Sequence, residues 1–160
     1  MNETKFVYLT QARIVQLEKE LQSLKINGRK EIAQKIADAR AHGDLSENAE
    51  YDAAKEEQGL FELKIAKLAD VLSRAKVIDT SKFDPETIHI LSEVEVKNLK
   101  TNKVYNYCLV SPEEADFQKG KISITSPVGQ GLLGKKLGEK IKVNAPAGIL
   151  EFEILSLVQP

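Results

Sequence analysis

The chain has 160 residues, 42% apolar and 29% charged, with 23 basic and 24 acidic side chains and a net charge of −1, enough for one ordinary domain or two small ones. The first eighty residues hold 13 basic and 14 acidic side chains and the second eighty 10 of each, so neither half carries the basic footprint of autonomous, tight nucleic-acid binding. The single cysteine, Cys108, excludes an internal disulfide; together with a polar N-terminus and no long apolar run, this predicts a cytoplasmic protein without a membrane span.

Residues 1–9 read as a short lead-in, with Phe6, Tyr8 and Leu9 available to pack on the base of the next element or on a second domain. Thr10 is an N-cap candidate, with Gln11 to Arg13 as the first helical turn. Ile14, Leu17, Leu21 and Leu24 then recur at steps of 3, 4 and 3, and Phe61, Ile65, Leu68, Leu72 and Ala75 at steps of 4, 3, 4 and 3. These are the two apolar seams of an antiparallel coiled-coil hairpin. Ile14 with Ala75, Leu17 with Leu72, Leu21 with Leu68 and Leu24 with Ile65 share one constant sum of residue numbers, 89, which centres the turn between Asp44 and Leu45. The same register sets Gly28 against Phe61, a missing side chain opposite a large one, and Ile36 against Ala53.

Gly28 and the step to Ile32 depart from heptad spacing, so a local shift in packing is expected there. Asn27-Gly28 also reads as a turn, but the register favours one nearly continuous helix. Such an arm reaches roughly 45 Å at about 1.5 Å per residue. Ala33, Ala37, Ala39 and Ala41 on one arm, with Ala49, Ala53 and Ala54 on the other, predict a thin distal half; plain helix propensity explains the same alanines.

The connection Gly43-Asp44-Leu45-Ser46-Glu47-Asn48-Ala49-Glu50-Tyr51 is rich in acids. Gly43 can end the first helix in a left-handed conformation. Asp44 or Ser46 can cap the second helix, with Glu47 or Glu50 in its first turn. Beside that capping role stands a functional one, in which Asp44 and Glu47 are two carboxylates held at the end of a rod. Two carboxylates suit a hard cation such as Mg²⁺, which takes oxygen ligands and keeps several waters. They do not make a tight site, and an exposed tip lacks the base, nucleophile and pocket of an enzyme. Any chemistry there requires a second macromolecule to complete the metal site, as in two-metal phosphodiester chemistry. Arg40, His42 and Lys55 nearby form either a solvated helix face or a small basic patch for a phosphodiester chain. A lone histidine beside a turn is more readily exposed than a metal ligand.

Helical periodicity ends near Asp79–Pro85, which divides the chain into domains 1–79 and 80–160. Beyond it the pattern is β. Val94 and Val96 alternate with Glu93, Glu95 and Lys97; Leu99–Lys103 reads as a turn; Val104–Val110 returns, with Cys108 as a small core hydrophobe rather than a nucleophile. Residues 111–117 form a loop or helical turn, and Ile122 and Ile124 mark a further strand. Ser126-Pro127 starts a short helix with an apolar face at Leu132 and Leu133 and a stop at Gly134. Ile141 and Val143, the Pro146-Ala147-Gly148 turn, and Leu150, Phe152 and Ile154 complete a small antiparallel sheet. The fold class is α+β.

The stretch Gly43–Tyr51, preceded by Ala39-Arg40-Ala41-His42 and followed by Ala53-Ala54-Lys55, resembles the tip signature of the bacterial Gre transcript cleavage factors, the A type in particular. Val77-Ile78-Asp79, Glu114-Ala115-Asp116-Phe117 and Ser126-Pro127 through Lys135 also match that family, so the resemblance covers nearly the whole chain. It implies a coiled-coil hairpin joined to a domain of the FK506-binding-protein type. It further implies an accessory factor, not an enzyme in its own right, that rescues backtracked RNA polymerase by stimulating Mg²⁺-dependent cleavage of the nascent RNA 3′ end. Asp44 and Glu47 match the catalytic acids that share a Mg²⁺ with the polymerase active site. Arg40 and Lys55 match RNA-contacting positions. Phe117, Ser126 and Pro127 match the segment that docks a monomer on the rim of the polymerase secondary channel. Thr125 stands where many relatives carry an acid, and Gly129-Gln130 where they carry Ala-Arg or Gly-Arg.

Two other classes fit parts of the pattern. A non-catalytic channel plug would use the same rod and inhibit polymerase without shortening RNA. A prolyl isomerase would use the C-terminal fold, but the chain has no Trp to floor a proline pocket, and fold alone does not give function.

Overall fold

The computed structural model describes residues 5–43 and 48–160. It divides into two units: Met1–Lys5 with Gln11–Ala75, and Phe6–Thr10 with Lys76–Pro160. The architecture is α+β, with a helical hairpin in the first unit and a sheet domain in the second.

One arm of the hairpin consists of α1 (Gln11–Ser23), a π-helical turn (Leu24–Gly28) and α2 (Arg29–Ala41). The other is α3 (Ala49–Ser73). The first arm is continuous: Gly28 is helical at φ −65°, ψ −44°, so Asn27-Gly28 is not a turn. The seam explains the π turn. Leu24, Gly28, Ile32 and Ile36 follow one another at steps of four, wider than the 3.6-residue period, and one turn with an i→i+5 bond absorbs the excess. That bond runs from the Arg29 N–H to the Leu24 carbonyl.

The two arms run antiparallel, as two ion pairs between them show. Arg29 Nε meets Glu62 Oε1 at 2.9 Å, and Lys35 Nζ meets Glu57 Oε1 at 2.6 Å. Leu17, Ile32, Ala39, Ala54 and Ile65 are buried.

Two sequence expectations need correction here. Ile36 was expected against Ala53, but Ala53 is exposed and Ala54 is buried. The π turn adds a residue to one arm only, which moves the matching position on the other by one. Most of the alanines expected to thin the distal half do not lie between the arms either: Ala33, Ala37, Ala41 and Ala49 are exposed, and only Ala39 and Ala54 pack inward.

The second helix ends at Ser73, and Ala75 lies in β2 (Ala75–Val77) rather than in the helical seam. Arg74 leaves the helix at φ −102°, ψ 0°, and the chain becomes extended to pair with β1 (Val7–Leu9). Val7 and Leu9 are fully buried and the Tyr8 N–H donates to Ser111 Oγ at 3.1 Å. The lead-in thus packs in the sheet-bearing unit, one of the two placements expected for it.

The main sheet has the order β5-β4-β3-β7-β6. Its strands are β3 (Glu93–Asn98), β4 (Val104–Val110), β5 (Lys121–Ser123), β6 (Lys140–Ala145) and β7 (Gly148–Val158). The alternation of buried Val94, Val96, Ile141, Val143, Phe152 and Ile154 with charged neighbours turns one face toward a core that also holds Ile88, Leu109, Ile122 and Leu132. Pairing is antiparallel except between β4 and β5, which are parallel. The sheet is therefore mixed, not wholly antiparallel. Residues 111–120 coil back through two 3₁₀ turns, Pro112–Glu114 and Phe117–Lys119, so that β5 sets out from the same end as β4. The short helix α4 (Pro127–Leu132) starts at the expected Ser126 N-cap. Leu132 faces the core, but Leu133 already lies outside the helix, exposed, and Gly134 turns the chain at φ +81°.

Candidate functional site

Asp44 and Glu47 lie outside the described residues, as do Leu45 and Ser46; the capping roles expected of Asp44 and Ser46 fall there too. What is described is the frame on either side. Gly43 follows α2 at φ +126°, a conformation open to glycine, and its N–H donates to the Arg40 carbonyl at 3.1 Å. The second helix is capped by Asn48, whose Oδ1 accepts from the Tyr51 N–H at 3.2 Å. Asn48 Nδ2 also donates to the carbonyls of Ala39 at 2.7 Å and Gly43 at 2.8 Å. One side chain thereby joins the end of α2 to the start of α3.

Sequence reading passed over Asn48. The available signal was its type, since asparagine is among the strongest N-caps; the two carbonyl contacts were not legible.

Arg40 sits in the last turn of α2 with its guanidinium 5.5 Å from the Tyr51 ring centroid, and Nη2 donates to the Tyr51 hydroxyl at 3.4 Å. This stack across the arms orients the cation at the tip end of the hairpin. Lys55, on α3, is exposed and donates to Gln58 Oε1 at 2.8 Å. His42 is exposed and lies 3.7 Å from the Glu50 carboxylate, a surface pair rather than a metal centre. Among the described residues no three His, Cys, Asp or Glu side chains converge as a cation site. Asp44 and Glu47 bring an all-oxygen donor set, which fits Mg²⁺.

In the second unit the structure brings Phe117, Ser126 and Pro127 to one concave surface of about 370 Å³, completed by Ile122, Val128 and Pro146. Phe117 is 76% exposed on its 3₁₀ turn, which Asp116 caps by accepting from the Gln118 N–H at 3.1 Å. The Ser126 hydroxyl is occupied internally: it donates to the Ser123 carbonyl at 2.7 Å and accepts from the Gly129 N–H at 3.1 Å. Its contribution to this surface is to hold Pro127 in place at the helix start. Thr125 is exposed, and its Oγ1 lies 2.8 Å from Ser123 Oγ. Cys108 is half-buried, and burial pushes its thiol up, away from nucleophilic use. No helix among the described residues is long and apolar enough to cross a membrane.

Comparison with known proteins agrees with both units. Residues 7–77 match the family described as transcription elongation factor, N-terminal, and residues 83–159 match transcription elongation factor, GreA/GreB, C-terminal. The chain is 51% identical over 153 residues to the transcription elongation factor GreA of Amoebophilus asiaticus, covering 96% of this chain and 98% of that protein. It is 49% identical over 156 residues to GreA of Flavobacterium johnsoniae, covering 98% and 99%. Among solved structures, GreA factor homolog 1 (Gfh1) of Thermus thermophilus is 28% identical, with 96% of this chain and 99% of that chain covered and a TM-score of 0.44. With matches spanning both units and identity near one half along almost its full length, the chain belongs to the GreA/GreB family of transcription elongation factors and is of the GreA type.

Proposed function

We propose that this protein stimulates the cleavage of nascent RNA by bacterial RNA polymerase in backtracked complexes, as an accessory factor rather than an enzyme, and acts as a cytoplasmic monomer. The observation that carries the reading is the position of Asp44 and Glu47 in the connection between two long antiparallel arms, in a chain of this family. Ala39 and Ala54 are small buried side chains in the half of the arms nearer the connection, and the secondary channel of the polymerase is the route the arms take.

Asp44 and Glu47 would help hold a Mg²⁺ together with polymerase carboxylates. When bound, this ion supplies Lewis acidity and lowers the pKa of water at the scissile phosphodiester. Arg40, already oriented by Tyr51, and Lys55 bind phosphates of the extruded RNA 3′ end as positioning contacts without base preference. The groove of Phe117, Ser126 and Pro127 docks on the channel rim. Phe117 supplies an exposed aromatic anchor of the kind that dominates interface energetics.

The test uses a stalled, backtracked elongation complex with end-labelled RNA. The protein should accelerate Mg²⁺-dependent shortening of the transcript. Asp44→Ala and Glu47→Ala should abolish that acceleration while still competing with the wild-type protein for polymerase. Full activity in both variants rejects the proposal, and inhibition without shortening identifies a channel plug instead.

A further inference from the structure

We propose that Asn48 is a positioning residue for stimulated cleavage, and that its carboxamide sets the geometry in which the tip acids are presented. This inference rests on the function proposed above. Asn48 bonds across the open end of the hairpin with both ends of its carboxamide: the amide nitrogen donates to two carbonyls of the first arm and the oxygen accepts from an N–H of the second. The Ala39 carbonyl lies in the terminal turn of α2, where it also accepts from the His42 N–H at 3.3 Å, and the Gly43 carbonyl lies two residues past the helix, beyond the reach of its regular bonds. The Tyr51 N–H is the matching orphan donor at the start of α3.

The consequence is geometric. Gly43 and Asn48 are the two residues that flank Asp44 to Glu47, and the 2.8 Å bond between the Asn48 amide and the Gly43 carbonyl clamps them to one another. Chain ends held at a fixed separation restrict what a four-residue connection can do, and Glu47 is bonded directly to the clamping residue. The same cap sets the first turn of α3, from which Tyr51 reaches Arg40. A misplacement of about 1 Å at reacting groups costs on the order of 100-fold in rate.

Asparagine is required by this role, whereas helix capping alone is not so demanding. Aspartate and serine accept the Tyr51 N–H as well as asparagine does. Neither offers two amide hydrogens, and aspartate would turn a carboxylate toward two carbonyl oxygens. Asn48→Asp and Asn48→Ser thus keep the cap and remove the clamp, and the serine variant does so without adding charge near the acids.

The experiment measures, for wild type, Asn48→Asp, Asn48→Ser and Asp44→Ala, the far-UV circular dichroism and urea midpoint, competition for polymerase, and the cleavage rate at saturating factor across a Mg²⁺ titration. For both Asn48 variants we expect helicity and polymerase competition near wild type. We also expect a saturating rate lowered about 100-fold and a higher Mg²⁺ concentration for half-maximal rate. Saturating rates within twofold of wild type in both, with Asp44→Ala inactive, overturn the role of Asn48 and leave the proposed function standing. Loss of helicity in both also overturns it, by making Asn48 a structural residue. Wild-type activity in Asp44→Ala overturns the function itself, and this inference with it.

Discussion

A Cβ placed on Gly28 would lie 2.3 Å from Cζ of Phe61 and 2.8 Å from its Cε2. The ring fills the space that a side chain at Gly28 would take, at the point where the first arm widens into a π turn. Gly28→Ala should therefore destabilise the hairpin although alanine is the better helix former. Overpacking costs about 1–3 kcal/mol against a propensity gain of about 1 kcal/mol, a net loss near 1 kcal/mol. In urea unfolding, Gly28→Ala combined with Phe61→Leu should be less destabilised than the sum of the single variants. Strict additivity of the two would show that the ring does not occupy this space.

The ion pair between Arg29 and Glu62 makes the hairpin sensitive to acid. Two hydrogen bonds of 2.9 Å from the Arg29 guanidinium hold the Glu62 carboxyl below the usual carboxylate range. A group with a depressed folded pKa stabilises the fold above its unfolded pKa, about 4.3 for glutamate, and that contribution fades as pH falls through the lower folded value. The pair is exposed, so the effect should be small and should weaken further with salt. Carboxyl titration by NMR should find Glu62 below the ordinary glutamate range, and Arg29→Ala should raise it. A Glu62 unmoved by Arg29→Ala would refute the assigned cause.

Gly129 is buried at the start of α4 because there is no room for anything larger. An added Cβ would meet the Ser123 carbonyl oxygen at 2.0 Å and its carbon at 2.9 Å. The obstacle is backbone of the β5–α4 turn, which also carries the Ser126 cap, so it cannot yield as a side-chain tip would. Gly129→Ala should lower domain stability by about 3 kcal/mol, the upper end of overpacking costs, as read by the thermal midpoint. Gln130→Arg, on an exposed neighbour, should leave stability unchanged.

Phe117 offers the means to separate docking from chemistry. With its ring 76% exposed, Phe117→Ala should leave the thermal midpoint alone while weakening polymerase binding about tenfold, the effect of losing roughly 1.4 kcal/mol at an interface anchor. The cleavage rate at saturating factor should be that of wild type. A lower saturating rate with unchanged affinity would remove Phe117 from the docking surface.

Much of this arrangement was legible in the residues because its signals are local. The steps of 3 and 4 from Ile14 to Leu24 and from Phe61 to Leu72 forced two helices, and their constant sum forced an antiparallel pairing with Gly28 against Phe61. Ser126-Pro127 gave the start of α4 and Val104–Val110 the bounds of β4 because caps, prolines and alternation act within a few residues. The errors came where one element answers to another. Ala53 gave way to Ala54 once the π turn added a residue to the opposite arm. Ala75 left the helical seam for β2, which pairs with β1 at the start of the sequence, and β5 runs parallel to β4 because the ten residues before it double back.

The sequence by itself determined the two helical arms, the acids between them, the β character of the second half and the family, since periodicity, turn chemistry and motif spacing are written residue by residue. Only the tertiary structure decided that Asn48 joins the two arms, that Arg40 lies on Tyr51, and that Phe117 and Pro127 share one groove with Pro146. Those relations depend on distances between residues far apart in the chain or across a turn, and packing sets such distances in ways that spacing along the sequence does not encode.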